Sequence, residues 1–347
     1  MISFVWTASA IWTEPAPLVP GSGGAETFTL GQCRELNRRG IASQIVTFRM
    51  GTADGRELSP DIRFVDYPTP QDLGRLEDPS LLAVEPLDLP ATRPPYVILH
   101  NPPYASLGRQ YYRSALANRR LVATSRAAAR MWANHLAVSA DTIAVMYPFA
   151  DVQFGRQPVP ERGDGPARVL FAGRLSIGKG FYTFLEALHY LARGDFACTV
   201  VLAGAQGDEY PMIEPLAKAH PMLTAVPART PRQMAELLVT QDVVVMPSHS
   251  RAWREPFGTL SVEAQHAGCR VVASDLGGLP ETDCGGLHLF EPDNPVALAR
   301  AVRRAARLGR LVPAERAKAE QRFTVTQSVD QLMAILHGDV PVYPGAT

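Results

Sequence analysis

Lysine is nearly missing from this chain of 347 residues, which carries its positive charge almost entirely on arginine. Only Lys179, Lys218 and Lys318 are present, so each lysine is a candidate for a specific role. The formal net charge is zero. This balance argues against a protein that coats nucleic acid, because such proteins carry an excess of positive charge.

Cysteine is also scarce, and none of the four cysteines forms a CxxC pair. We therefore expect reduced thiols in a cytoplasmic protein. No stretch reaches the roughly 18 apolar residues that a membrane-spanning helix needs. The apolar opening MISFVWTASAIW lacks the basic start and the small-residue cleavage site of a signal peptide, and we interpret it as a strand.

Acidic pairs with metal-ligand spacing are absent after the strands of the first half, and there is no DxD motif. We therefore expect neither a metal ion nor a cofactor. Apolar residues make up 46% of the chain and charged residues 20%, a composition typical of a folded protein. The length predicts two domains rather than one core.

Short β-branched runs alternate with helical patterns along the chain, which predicts an α/β fold with parallel sheets covered on both faces. The first series is ISFVWT, SQIVTF, YVILH, LVATS and TIAVMY, and no strand is predicted in the irregular, proline-rich residues 51–95. The second series is ARVLFAG, CTVVLAG, LTAVP, DVVVMPS, RVVAS and LHLF.

The two series predict two Rossmann-like domains that face one another. We place the first at residues 1–150 and the second at residues 165–325, joined by the Pro- and Gly-rich linker DVQFGRQPVPERGDGPA. Residues 326–347 form a C-terminal helix and tail. Because ligands bind at the carboxyl ends of parallel strands, we expect the site in a cleft between the domains.

A glycine-rich loop, GSGGAET at residues 21–27, follows the first strand. Glycines let backbone N–H groups approach an anion, and the start of a helix adds partial positive charge. The pattern is not the GxGxxG dinucleotide fingerprint, and taken alone it favours an ordinary turn.

A second glycine-rich loop, FAGRLSIGKG at residues 171–180, leaves the first strand of the second domain. It combines Arg174 and Lys179 with Gly173 and Gly180. A guanidinium and an ammonium beside exposed amides neutralise a diphosphate well, whereas the alternative is a solvated loop. A lysine here, in so arginine-rich a chain, favours the phosphate-binding interpretation.

Two carboxylates eight residues apart, Glu255 and Glu263, follow the strand DVVVMPS. A helix is predicted to begin near Gly258, which places Glu255 at its entrance and Glu263 about one and a half turns inside. The amides of Gly258, Thr259 and Leu260 would then point at an anion, and Glu255 could accept hydrogen bonds from sugar hydroxyls. For either glutamate alone, a structural role is the better interpretation.

The strand YVILH ends at His100, and the Asn-Pro-Pro that follows forces a sharp turn. We therefore expect His100 at the edge of the cleft, although a lone histidine at a strand end is more often structural.

Taken in order, these segments resemble the retaining glycosyltransferases of the GT-B fold, and among them the large family 4. EPFGTLSVE is similar to that family's E-x7-E signature, GRLSIGKG to its arginine–lysine phosphate loop and GSGGAE to its N-terminal glycine loop. AGCRVVASDLGGLPE and LHNPPY resemble further segments of the family. The resemblance implies that the C-terminal helix packs back on the first domain.

The resemblance also implies roles for the candidate residues. Glu255 would bind the donor sugar and Glu263 the ribose diol, with His100 near the reacting carbon; His100 and Glu255 are the catalytic candidates. The diphosphate of a nucleotide sugar would be held from both domains, by Gly23, Gly24, Gly173, Arg174, Lys179 and Gly180.

The rest of the donor site would be formed by Phe257, Gly258, Thr259 and Leu260 at the helix entrance. Arg229, in the segment VPARTP, would lie near the base pocket, where many relatives have a glycine.

The reaction implied is transfer of a hexose-type sugar from a UDP- or GDP-sugar to a hydroxyl acceptor, with retention and without a metal ion. Two alternatives stay open. A nucleotide-sugar 2-epimerase has similar domains, but the E-x7-E spacing speaks against it. An inactive glycosyltransferase-like partner is the other, and the joint presence of four charged site residues speaks against that.

Arg109, Arg113 and Arg120 are predicted on one helical face with Tyr112 and Leu116 nearby, as in relatives that contact anionic lipid. Because arginine is common throughout this chain, a solvated face is the favoured interpretation, and weak peripheral membrane contact is the alternative.

Overall fold

The computed structural model describes residues 1–6, 24–48, 57–59, 62–67, 69, 72, 76, 79–82, 95–160, 164–192, 194–202 and 210–345. The chain divides into two compact units, one of Met1–Pro148 with Val325–Thr347 and one of Phe149–Thr324. Each unit carries helices and its own largely parallel sheet, which confirms the predicted α/β class.

The described strands and helices alternate along most of the chain. The strands are β1 (Ile2–Val5), β2 (Ser43–Phe48), β3 (Glu57–Ser59), β4 (Ile62–Tyr67), β5 (Ser80–Leu82), β6 (Tyr96–Leu99), β7 (Arg119–Ala123), β8 (Ala144–Val145), β9 (Ala167–Phe171), β10 (Phe196–Leu202), β11 (Leu223–Pro227), β12 (Val243–Met246), β13 (Arg270–Ser274), β14 (Leu287–Phe290) and β15 (Val342–Tyr343). The helices are α1 (Gly24–Arg38), α2 (Gly108–Ala115), α3 (Arg126–Leu136), α4 (Gln153–Arg156), α5 (Phe181–Leu188), α6 (Tyr210–Ala219), α7 (Pro231–Leu238), α8 (Thr259–His266), α9 (Pro295–Leu308), α10 (Pro313–Ala319) and α11 (Val325–His337).

In the first unit the described strands form one sheet in the order β15-β7-β6-β5-β1-β2-β4-β3, with β8 beside β7. The inner pairs are parallel, and β3–β4 and β15–β7 are antiparallel pairs. Every residue of β1 and β6 is buried, as expected for parallel strands covered on both faces. The core includes Val97, Leu121 and Trp132.

The C-terminal helix α11 is part of the first unit, where it packs against α1. Gln32 of α1 donates to the Ser328 hydroxyl at 2.8 Å, and that hydroxyl donates to the Tyr147 carbonyl at 2.7 Å. Arg39 adds an ion pair with Asp330 at 2.6 Å. Buried polar groups with partners on both sides fix the position of the helix on this unit.

The second unit carries a six-stranded parallel sheet in the order β11-β10-β9-β12-β13-β14. All six predicted strands are present. In its core the Phe171 ring packs against Phe181 and Phe184, at ring-centroid distances of 5.4 and 5.5 Å.

The residues just after the boundary at Phe149 belong to the second unit rather than to an open linker. Gln153–Arg156 form the short helix α4. Arg316 of α10 donates to the carbonyls of Gly155 and Gln157, the latter at 3.2 Å. These bonds hold the start of the Pro- and Gly-rich segment against the second unit.

The prediction that Arg109, Arg113 and Arg120 share one helical face is wrong, because only the first two lie on a helix. Helix α2 ends at Ala115, and Arg120 lies on strand β7, where its guanidinium packs over the Tyr96 ring at 5.5 Å. Tyr112 and Leu116 are buried in the core. Among the described residues, no helix has the length and apolar character to cross a membrane.

Candidate functional site

Three loops of the second unit meet at the carboxyl edge of its sheet. Strands β9 and β12 are parallel neighbours, with Val243 opposite Val169, so the loops that follow them leave at the same edge. The amide of His249 donates to the Gly178 carbonyl at 3.0 Å and joins the two loops. The loop after β13 adds a bond from the Gly278 amide to the Glu255 carbonyl at 2.7 Å.

Gly180, at the end of the β9 loop, explains how closely the loops approach. Its φ is 74°, and a Cβ atom there would lie 1.6 Å from the carbonyl oxygen of Pro247. Only glycine fits such a contact in this conformation. The tight packing places the neighbouring residue, Lys179, against the loop that carries Glu255.

Four side chains make up what we call the charged cluster: Arg174, Lys179, Trp253 and Glu255. The Lys179 ammonium pairs with Oε2 of Glu255, and Trp253 donates its indole N–H to the same oxygen at 3.2 Å. The Trp253 ring also lies 5.0 Å from the Arg174 guanidinium and 5.3 Å from the Lys179 ammonium.

The charged cluster combines a nearly buried carboxylate with two cations that are partly exposed. Glu255 is 9% exposed, so its charge needs the partners that it has. An ammonium carries three N–H donors. Lys179 can therefore hold Glu255 and still donate to an anion, and Arg174 offers a guanidinium fork beside it.

Sequence reasoning named Arg174, Lys179 and Glu255, and the structure brings them together. Sequence reasoning missed Trp253, which contacts all three of them. The available signal was a large aromatic residue in the polar loop HSRAWREPFG, where burial of apolar surface is not expected.

Helix α8 begins where the sequence predicts, with Gly258 as its N-cap residue and Thr259 and Leu260 in its first turn. Burial raises the pKa of Glu263, inside this helix, from 4.5 to about 8, and the negative charge of Asp151 adds to the shift. The carboxyl group of Glu263 is therefore largely protonated at neutral pH.

The side chain of Phe257 is buried and packs edge-to-face against Phe323 at 5.3 Å. Its ring thus belongs to the core of the second unit, and a contact with a ligand would come from its backbone.

Arg229 lies between β11 and α7, at the same edge of the sheet as the charged cluster. Its Nε atom is buried, and no group of the protein accepts a hydrogen bond from it in the described structure. A buried donor without an acceptor is costly, and a bound ligand could supply the acceptor.

His100 and Gly24 belong to the first unit, and Gly23 lies outside the described residues. The Nε2 atom of His100 is buried without a hydrogen-bond partner, and its ring meets Phe28 edge-to-face at 5.1 Å. Burial lowers the pKa of His100 to about 4, so the imidazole is neutral at physiological pH. Gly24 is exposed and begins helix α1.

Within the described ranges, no three His, Cys, Asp or Glu side chains lie close enough together to share a metal ion. The groups that the candidate site offers to a ligand are cations, carboxyl groups and helix amides.

Curated relatives match part of this chain. A glycogen synthase of Mycobacterium tuberculosis is 34% identical over 165 residues, which are 46% of this chain and 37% of the relative. A D-inositol 3-phosphate glycosyltransferase of Xylanimonas cellulosilytica is 32% identical over 202 residues, which are 52% of this chain and 46% of the relative. The matches thus cover less than half of the length of these relatives.

Solved structures resemble the whole chain at low sequence identity. A glycosyltransferase from Rickettsia africae superposes with a TM-score of 0.71 at 18% identity and covers 96% of this chain and 97% of its own. HepE of Anabaena, solved with UDP and glucose, gives a TM-score of 0.69 at 19% identity, covering 96% and 98%. These similarities show that the fold is that of GT-B glycosyltransferases.

One family model matches residues 156–337, more than half of the chain, and this range contains the charged cluster and Glu263. The chain therefore belongs to the family of glycosyl transferases group 1.

Proposed function

We propose that this chain is a retaining glycosyltransferase of family 4 that transfers a hexose-type sugar from a UDP- or GDP-sugar to a hydroxyl acceptor. The observation that carries the proposal is the charged cluster at the carboxyl edge of the second sheet. The names of the relatives support sugar transfer, and the structural neighbour HepE binds UDP and glucose.

Arg174 and Lys179 would bind the diphosphate of the donor. Their cationic groups contact the same indole ring. Charge-assisted hydrogen bonds from a guanidinium fork and an ammonium suit phosphate oxygens. The same contacts strengthen as negative charge develops on the leaving diphosphate, which lowers the barrier to transfer.

Glu255 would bind hydroxyls of the donor sugar. Both of its described partners, Lys179 and Trp253, bond to Oε2. Within the described structure no group donates to Oε1, so this oxygen can accept from a sugar hydroxyl. Glu263, inside α8, would accept from the ribose hydroxyls, and Arg229 would contact the base.

In the proposed reaction the acceptor hydroxyl attacks the anomeric carbon on the face that the diphosphate leaves. The new bond joins the acceptor oxygen to this carbon, the bond to the phosphate oxygen breaks, and the acceptor proton passes to the departing phosphate. The two cations take the place of a metal ion, and no cofactor is needed. We place the reaction in the cytoplasm, which suits four free, buried cysteines.

A donor screen tests the proposal. The protein is incubated with UDP-glucose, UDP-N-acetylglucosamine, GDP-mannose and ADP-glucose, with D-inositol 3-phosphate or a glucan as acceptor and with excess EDTA. We expect a nucleoside diphosphate and a glycoside of unchanged anomeric configuration, identified by NMR. Inversion, or loss of activity in EDTA with rescue by Mg²⁺ or Mn²⁺, would contradict the mechanism, and donor isomerisation without an acceptor would indicate an epimerase.

Lys179→Gln provides the matched variant in this assay, because glutamine can still donate to Glu255 without the charge. We expect kcat/KM to fall by an amount equivalent to about 2–4 kcal/mol. Lys218→Gln is the control, since Lys218 is exposed and pairs with Glu214 one helical turn away. Equal activity of the two variants would reject the phosphate role of Lys179.

A further inference from the structure

We propose that Trp253 is a positioning residue for donor transfer. Its ring contacts both Arg174 and Lys179, and its indole N–H sets the orientation of the Glu255 carboxylate. This inference rests on the proposed function, because it concerns the same site, but it assigns a role to a residue outside the E-x7-E and arginine–lysine segments.

The Trp253 ring contacts two cations that we assign to the diphosphate. The Arg174 guanidinium is 5.0 Å and the Lys179 ammonium 5.3 Å from the ring centroid. Each contact lies within the roughly 6 Å over which a tryptophan ring attracts a cation. Without the ring, both cations would lose this contact and their side chains would be free to take other positions before a diphosphate binds.

The indole N–H acts on the carboxylate. Trp253 donates to Oε2 of Glu255 at 3.2 Å, and the ammonium of Lys179 bonds to the same oxygen. Two donors on one oxygen fix the rotation of the carboxylate and leave Oε1 for a ligand. A sugar hydroxyl held by Oε1 would then meet a fixed acceptor, which is the condition for an anomeric carbon held in a reactive geometry.

The backbone around Trp253 holds the indole in place. Its own amide donates to the His249 carbonyl at 3.1 Å, and the His249 amide donates to Gly178 at 3.0 Å. Ser250 is anchored by its amide to Asp293 at 3.0 Å. At Gly178 a Cβ atom would lie 2.7 Å from the Cβ of Trp253, so this glycine makes room for the side chain.

A plain packing role explains Trp253 less well. Trp132, which is a packing residue, is only 1% exposed and lies in the core of the first unit. Trp253 is partly exposed and has charged groups around it. Its neighbours in sequence, Arg251 and Arg254, are exposed as well.

Two substitutions separate the functions of the ring and of the N–H. Trp253→Phe keeps an aromatic ring and removes the donor to Glu255. We expect kcat to fall by about tenfold while the donor KM changes by less than about twofold, because the cations stay in place. Trp253→Leu removes both contacts, and we expect the same loss of kcat with a further rise in donor KM of about tenfold.

Thr240→Val is the control for a merely structural loss. The Thr240 hydroxyl donates to the Leu237 carbonyl at 2.7 Å. Thr240 lies just before β12, at the edge of the sheet opposite to the charged cluster. This variant is expected to lower the melting temperature and leave kcat and KM unchanged. A second readout is tryptophan fluorescence: UDP is expected to change the emission of the wild-type protein and not that of Trp253→Phe.

The possible results point to different conclusions. If Trp253→Phe turns over the donor as fast as the wild type does, this inference is overturned and the proposed function stands. The same holds if the kinetic losses of Trp253→Phe and Thr240→Val are equal. If the wild-type protein binds no nucleotide sugar, both the proposed function and this inference are overturned. If Trp253→Phe lowers kcat alone and Trp253→Leu also raises the donor KM, both are supported.

Discussion

Glu263 is a carboxyl group that keeps its proton at neutral pH, because burial and the charge of Asp151 raise its pKa to about 8. In the unfolded chain the group ionises near 4.5. Between these two values the folded protein binds more protons than the unfolded one, so this residue lowers the stability as the pH rises. A ribose diol that donates to the carboxylate would favour the ionised form, and nucleotide binding would release a proton.

We expect Glu263→Gln to be more stable than the wild type at the upper end of this pH range, with a difference that grows as the pH rises from 4.5 to about 8. Urea unfolding at a series of pH values measures this. Calorimetry of UDP binding in two buffers of different ionisation enthalpy should show proton release for the wild type alone.

Glu236→Gln is the control for this pH effect, because Glu236 is exposed and paired with Arg232 on α7. Its stability is expected to follow that of the wild type. If the wild type and Glu263→Gln lose stability in parallel as the pH rises, Glu263 is not the group that titrates.

Individual residues were predictable where a short motif encodes them. Arg174 and Lys179 share one loop, and Glu255 and Glu263 share one helix entrance, and the resemblance of these segments to family motifs made them site candidates. Their roles stay predictions. The contact between Lys179 and Glu255 spans 76 residues, and it depends on which strands become neighbours. The role that we propose for Trp253 could not be predicted, since its three partners meet only after β9 and β12 pair.

At the scale of elements, the sequence predicted the strands with continuous apolar runs and missed those without them. All strands of the second unit were predicted, and β12 and β13 are almost wholly buried. In residues 51–95, where no strand was predicted, the structure has β3, β4 and β5. Two of these have three residues, and β4 mixes polar with apolar positions, so none shows a clear period.

The loop between β9 and α5 depends on two glycines with positive φ. Gly180 combines a φ of 74° with no room for a Cβ, whereas Gly173 has a φ of 145° and open space around it. We expect Gly173→Ala to lower the free energy of unfolding by about 1–3 kcal/mol through backbone strain alone. Gly180→Ala should cost more, because Pro247 must also move, and it should weaken UDP binding.

Gly165→Ala is the reference for this pair, because nothing lies within 4 Å of its Cβ position and its backbone is unstrained. It should change stability by no more than about 0.5 kcal/mol. Urea unfolding of the three variants gives the order directly. An equal cost for Gly173→Ala and Gly180→Ala would mean that the close approach to Pro247 is not needed for the loop.

At the scale of the whole molecule, the chain leaves its first unit at Pro148 and returns to it at Val325. The second unit is thus one continuous segment, and its two ends lie together: the Ala150 amide donates to the Phe323 carbonyl at 3.1 Å. It also has its own core around Phe171 and Phe184. Adjacent ends and a separate core are the features of a segment that can fold alone.

We therefore expect residues 149–324, expressed alone, to unfold cooperatively and to bind UDP. The residues that we assign to the diphosphate and the ribose, Arg174, Lys179 and Glu263, all lie within this segment. Its Kd for UDP should be within about tenfold of that of the full chain, a difference of about 1.4 kcal/mol. At a UDP concentration of about 100 times Kd, binding should stabilise the segment by about 2.7 kcal/mol, measured by urea unfolding. The same segment with Lys179→Gln should show little of this gain. A folded segment that binds no UDP would place the main nucleotide contacts on the first unit and would contradict the assignment of the donor site to the second.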